Sequence, residues 1–357
     1  MTAKVLTYDT ANPGDTSDLA VKLAPLDPRR IRRLAFLVKT EGNSDVNDYS
    51  REFALLTIEQ ALRNFGGQDL VDRSTFLIST GCEGAMTPFG YLFADYDDPA
   101  AATPKGGRSL AFGCARSRSL TPEEIGTLAH ADITAETVRA GMKDAGVEAA
   151  DVELVIVKTP VTSYVPASAS KNKNKRITSE YSKAIASLGA GHALGEVERA
   201  KLVPQVFDVD HAVHARRVMS FSGSELDRVE IMVLANRAGQ PGDLIVKTGF
   251  LADLLDASGI RETLRAAGCT LDTEGRVTDP QAVVAMVAKI GIAPDGRLRG
   301  LRTTIRSSHI DMDKHCRATM SGVIGSILGS CRAFISANTV HQAPPGGGLC
   351  AVIARTL

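Results

Sequence analysis

Three lysines in this sequence each close a run of mostly apolar residues: Lys39 ends IRRLAFLVK, Lys158 ends VELVIVK and Lys289 ends VVAMVAK. Three serines close later runs in the same way, Ser79 in STFLIS, Ser222 in VMSFS and Ser336 in RAFIS. Between each lysine and its serine, a basic residue falls near the start of an expected helix: Arg51 in SREFALLTIEQALRNFGG, Lys183 in SEYSKAIASLGAGHALG and Arg317 in DKHCRATMSGVIGSILG. If the equivalent strand ends converge, three lysines, three basic residues and three serines share one half-dry, electropositive site. Repulsion and desolvation lower a lysine's pKa there, and a neutral lysine takes a proton from serine. The serine then attacks a carbonyl carbon, while guanidinium and backbone N–H groups hold the oxyanion. A flat ring with carbonyls at alternate positions suits such a site. Taken singly, each lysine or serine is an ordinary strand-edge residue. Recurrence of all of them in one order favours chemistry, and a purely structural repeat would share that order.

The elements that must position them are also repeated. Each lysine run is apolar on consecutive residues, as in strands buried on both faces. In the first helix Phe53, Leu55, Leu56, Ile58, Ala61, Leu62 and Phe65 recur at helical spacing, and Gly66-Gly67 ends it. A further apolar strand follows each serine: SLAFGCA (109–115), VEIMVLA (229–235) and LCAVIA (349–354). The helical segments TAETVRAGMKDAG and TGFLADLLDASGIRETLRAAG are read as closing the first two repeats, with no room for a counterpart after the last strand. The expectation is an α/β protein of three similar repeats spanning 1–103, 104–249 and 250–357. The segment SASKNKNKR reads as a basic, solvated loop, with a substrate lid as the other reading.

Composition narrows the partners. Lys+Arg and Asp+Glu are equal at 41 each in 357 residues, so no long-range basic field attracts nucleic acid or an anionic membrane. No apolar run approaches the roughly 20 residues of a membrane helix. The six cysteines form no CxxC pair, and MTAKVLTYDT lacks the apolar segment of a signal peptide, which predicts free thiols in the cytoplasm. A small-molecule partner is expected.

Four stretches carry a resemblance over essentially the whole chain: VKTEGNSDVNDYSRE (38–52), ISTGCEG around Ser79, FSGSEL around Ser222, and HQAPPGGGLCAVIAR near the carboxy terminus. They resemble the cyanuric acid hydrolase and barbiturase family. That resemblance implies three α/β units around a pseudo-threefold axis, the active site at its centre, three Lys/Ser pairs around the substrate, and a homotetramer. It implies hydrolytic opening of a cyclic ureide, cyanuric or barbituric acid, without a redox or organic cofactor; barbituric acid is the first substrate expected and cyanuric acid the second. By the same resemblance Ser222 is the nucleophile and Lys158 its base, while Lys39, Arg51, Ser79, Lys289, Arg317 and Ser336 hold and polarise the other carbonyls.

Departures from the family pattern bear on the substrate. Lys183 stands where the family has arginine, and it cannot grip bidentately. Thr80 and Ala337 stand where glycine is expected after the serine, whereas Gly223 retains it. A less symmetrical ring than cyanuric acid follows, and an orotate-like ring with an anionic substituent is the alternative within enzymes. A non-catalytic ligand-binding homologue is the alternative outside them. The family's structural divalent cation, Mg or Ca, takes an acidic ligand at the position of Gly291, which leaves only backbone oxygens around Ala343, Pro345 and Gly346. His211 and His214 with Asp208 and Asp210 form no recognisable metal spacing, and Cys82 reads as a small buried residue.

Overall fold

A computed structural model describes residues 1–43, 48–161, 179–202 and 211–356. The basic segment SASKNKNKR and the aspartates 208 and 210 lie outside the described residues.

The first unit comprises β1 (Thr2–Asp9), α1 (Ser17–Leu23), β2 (Ile31–Thr40), α2 (Ser50–Gly66), β3 (Ser74–Thr80) and β4 (Phe89–Tyr96). The second has β5 (Arg108–Ser119), α3 (Leu128–Ala145), β6 (Val152–Pro160), α4 (Ser179–Ala193), β7 (Val218–Gly223) and β8 (Arg228–Ala238). The third has β9 (Leu244–Leu251), α5 (Ala257–Ala266), β10 (Val283–Ile290), α6 (Met312–Leu328), β11 (Phe334–Ala337) and β12 (Gly348–Arg355).

Each unit folds its strands into one sheet with the same order: β1-β4-β2-β3, β5-β8-β6-β7 and β9-β12-β10-β11. In every sheet the lysine strand runs parallel to the strand after the basic helix and antiparallel to the last one. The fold is therefore three similar α/β repeats about a pseudo-threefold axis.

This topology shifts the phase of the repeat. The last strand of the first unit is FGYLFADY, and SLAFGCA opens the second sheet instead of closing the first. Likewise α3 and α5 come between the first and second strands of their own units. No helix is missing after β12, because its counterpart comes earlier. The boundary expected at 249/250 falls inside β9, which hydrogen bonds along its length to β12. The three mostly apolar later strands look alike in sequence, so hydrogen-bond partners are what separate an opening strand from a closing one.

Strand alternation explains both the packing and the placement of the lysines. Side chains two apart share a face. Ala35 and Leu37, Leu154 and Ile156, and Ala285 and Val287 enter one core shared by all three sheets. The intervening Leu34, Phe36 and Val38 pack against the first unit's own helices, and the other units repeat this. Ile156→Ala in the shared core is expected to cost about 2–5 kcal/mol. The next residue on each inward face is Lys39, Lys158 or Lys289, so each lysine ends a dry row at the sheet rim facing the axis.

Candidate active site

All three lysines are fully buried. Their environments differ because their cross-strand neighbours differ. Lys39 pairs in register with Ser79 and Lys289 with Ser336. Lys39 Nζ lies 3.1 Å from Ser79 Oγ, and Lys289 Nζ lies 2.8 Å from Ser336 Oγ. In the middle unit the residue opposite Lys158 is Phe221, and Ser222 is opposite Thr159. Lys158 Nζ instead donates to the Ile78 carbonyl at 2.6 Å, forms an ion pair with Glu225, and lies 5.1 Å from the centre of the Phe221 ring. The Ser222 hydroxyl bonds that of Ser179 at 2.6 Å.

The expected Ser222/Lys158 dyad is thus not brought together, and the reason is a one-residue frame. Aligned on their glycines, Ser79-Thr80-Gly81-Cys82-Glu83 matches Phe221-Ser222-Gly223-Ser224-Glu225, and Ser336-Ala337-Asn338-Thr339-Val340 completes the set. A one-residue shift reverses the face of a strand side chain. Thr80, Ser222 and Ala337 are therefore equivalents, and Gly223 corresponds to Gly81, not to Thr80. Gly81 and Asn338 confirm this frame: both have positive φ (96° and 70°), and their N–H groups donate to the Thr40 and Ile290 carbonyls at 2.9 Å. Asn tolerates that left-handed conformation better than most residues.

Above the lysines opens a cavity of about 370 Å³. Arg51, Ser79, Thr80, Lys183, Ser222, Gly223, Arg317, Ser336 and Ala337, all expected at the site, line it together with Phe221. The units are clasped around it. Arg317 of the third unit binds Glu83 of the first through Nε (2.5 Å) and Nη2 (2.7 Å). Arg51 of the first unit lies 3.0 Å from Glu225 of the second. At the remaining junction the acidic position is Val340 and the basic one Lys183, whose ammonium is 3.7 Å from Asp313 of the third unit. Phe221, Glu83, Glu225 and Asp313 were missed by sequence reasoning. The shared G-x-E spacing of TGCEG and SGSEL was the signal for the first three.

Electrostatics separates the lysines further. Desolvation, aided by the charge of Arg317, brings Lys39 down to about 7. Lys289 falls well below the ordinary lysine value, through desolvation and then the cation of Lys183. Lys158 is lowered by desolvation too, but Glu225 opposes the shift. Burial would raise the Glu225 carboxyl, yet Lys158 and Arg51 hold it below its usual range. The middle lysine is consequently one half of an ion pair, and the outer two are lysines with serine partners. Burial pushes the Cys82 thiol up to about 11, away from a reactive thiolate.

These features accompany a match over nearly the entire chain: residues 4–355 fit the family model described as amidohydrolase ring-opening protein. The chain belongs to this family. Among its ring-opening relatives, the cyanuric acid amidohydrolase of Enterobacter cloacae is 33% identical, with 100% of both chains covered. The cyclic amide hydrolase of Azorhizobium caulinodans is 34% identical, with 96% of each chain covered. The crystal structure of cyanuric acid hydrolase from A. caulinodans superposes with a TM-score of 0.88 at 31% identity, covering 100% of this chain and 99% of that one.

The residues expected around a cation lie in a separate cavity of about 160 Å³ that includes Gly291, Ala343, Pro345 and Gly346. A side chain at position 291 would meet Thr339 Oγ1 at 2.3 Å from its Cβ, and that hydroxyl already donates to the Gly347 carbonyl at 2.9 Å. Among the described residues, no group of three or more His, Cys, Asp or Glu is arranged to hold a metal. These residues do not fit a divalent ion held through a carboxylate at position 291. His211 stacks on His341, with ring centres 5.6 Å apart, and His214 Nδ1 lies 2.8 Å from the Ala212 carbonyl. No helix among the described residues is long and apolar enough to cross a membrane.

Proposed function

We propose that this chain opens a six-membered cyclic amide by hydrolysis, with Ser336 as nucleophile and Lys289 as its base. The observation that carries the assignment is the 2.8 Å Lys289–Ser336 contact at the cavity floor, set against Phe221 opposite Lys158. Lys39 and Ser79 form the other intact pair. There, however, the lysine also donates to the Thr80 carbonyl at 3.0 Å, so it serves better as a donor to a second ring carbonyl.

Neutral Lys289 takes the Ser336 proton as Oγ attacks a ring carbonyl carbon. Backbone N–H groups and Arg317, which Glu83 fixes in a two-point grip, face the developing oxyanion. The ring C–N bond breaks, and Lys289 returns the proton to the leaving nitrogen. Water, deprotonated by the same amine, then attacks the serine ester, Lys289 returns that proton to the departing Ser336 Oγ, and the open-chain acid is released. Barbituric acid is the first substrate expected, and cyanuric acid the second. The loosely paired Lys183 at the cavity wall favours a second reading, a pyrimidine ring with an anionic substituent. The relatives' resemblance further suggests a homotetramer.

The test is loss of ring absorbance for barbituric acid, and ammonia or biuret release for cyanuric acid, in wild type and in S336A, S79A and S222A. Loss confined to S336A supports the assignment. Loss confined to S79A or S222A moves the nucleophile, and tight binding without turnover by any form makes the protein a ligand-binding homologue.

A further inference from the structure

Phe221 occupies the inward position that serine holds in the other two units, and it lines the cavity. Its ring lies over Lys158 and tilts against Phe334 at 5.5 Å between centres. None of Lys39, Lys158 and Lys289 lines this cavity, but Ser79 and Ser336, which do, contact Lys39 and Lys289, whereas the Ile78 carbonyl and Glu225 hold the Lys158 ammonium. A substrate on the axis therefore meets the serines of two Lys/Ser pairs and, at the third place, an aromatic wall.

We infer that Phe221 is a specificity-determining residue that selects cyclic amides whose ring presents carbon, bare or alkylated, at the edge facing the middle unit. This inference rests on the ring-opening reading above and deepens it. A ring N–H or C=O turned toward Phe221 loses its hydrogen bonds to water and gains none, which costs about tenfold to a hundredfold in affinity or kcat/KM. A ring carbon there loses nothing, and each methylene buried against the phenyl face adds about fourfold. Cyanuric acid has no carbon edge without a carbonyl; a barbiturate has one, at C5.

The experiment compares kcat/KM and calorimetric Kd for cyanuric acid, barbituric acid and 5-ethylbarbituric acid in wild type, F221L and F221S. Wild type is expected to favour the two carbon-edged rings over cyanuric acid by about tenfold or more. F221L, which keeps an apolar wall, retains that ratio within about threefold. F221S places a hydroxyl opposite Lys158 and reduces the ratio at least tenfold; should it fail to fold, F221A removes the wall instead. Equal or better use of cyanuric acid by wild type, or a ratio that F221S and F221A leave unchanged, overturns the inference. If no form opens any ring, the ring-opening reading fails, and the Kd ratios alone then decide the role of Phe221. If no ring binds, both are overturned.

Discussion

The middle and third units share a sheet order, an inward lysine and a basic helix, yet they treat the lysine in opposite ways. In the third unit the amine is dry, its pKa lowered further by the cations of Lys183, Lys39 and Arg317 against the opposing charge of Asp313, and in contact with a serine. In the middle unit it is dry but neutralised by Glu225 and roofed by Phe221. The difference teaches that burial does not by itself make a base. An acid within ion-pair distance offsets the desolvation that would keep lysine neutral, and a missing hydroxyl leaves that lysine nothing to deprotonate.

The sharpest way to break this comparison is to remove each unit's hydroxyl. S336A is expected to lose about a thousandfold or more in kcat, and S222A less than about tenfold, measured on one ring under saturating conditions. Reversal of the two results would return the nucleophile to the middle unit. Next in size is the ion pair itself. E225Q leaves Lys158 and Arg51 buried with no carboxylate between them, and urea unfolding should report a loss of roughly 3 kcal/mol. A loss below about 1 kcal/mol would mean that Lys158 is held neutral after all.

K289M should cost about a hundredfold or more in kcat/KM. The wild-type profile carries the same information: with a neutral amine as the proposed base, kcat/KM rises with pH along an acid limb. For either amine that limb lies well below the ordinary lysine value, at about 7 for Lys39, so its persistence in K39M would assign it to Lys289 and its loss there would point to Lys39 and Ser79 instead. A smaller effect belongs to the clasp. R317K keeps the charge but loses the two-point grip on Glu83, and about a tenfold fall in kcat/KM is expected.

The smallest effect concerns stability. Lys39 titrates near 7 when folded and near 10.5 when unfolded. Between those values the unfolded chain binds more protons, so folding stability rises with pH. The stability of wild type relative to K39M should accordingly improve from pH 7 to pH 10 and stay level below about pH 6. A difference that does not change with pH would show that Lys39 remains charged in the fold.

Much of this was legible in the sequence. The lysine strands, the basic helices, the recurrence of serines and the family resemblance pointed to three units and to nine of the seventeen residues that line the cavity. Phase and frame were harder to read. SLAFGCA and FGYLFADY are equally apolar, and only pairing with β8 or β2 assigns them to a unit. Ser222 follows an apolar run as Ser79 and Ser336 do, but two-residue periodicity places Met219 and Phe221 inward and Ser222 off that row. Counting from Gly223 rather than from the nearest serine would have found Phe221. The pKa contrast depended on Glu225, which touches Lys158 only because the loop after β7 folds back.

The clasp between units carries one more consequence. Two junctions keep an arginine and a glutamate, and at the third both positions differ together, as Lys183 and Val340. In a ring of three identical chains a single codon writes all three junctions, so neither change could be confined to one of them. Here each junction has its own codons. One corner of the site can drift, lose an acid and then relax its arginine to lysine, while the other two corners go on holding the ring closed.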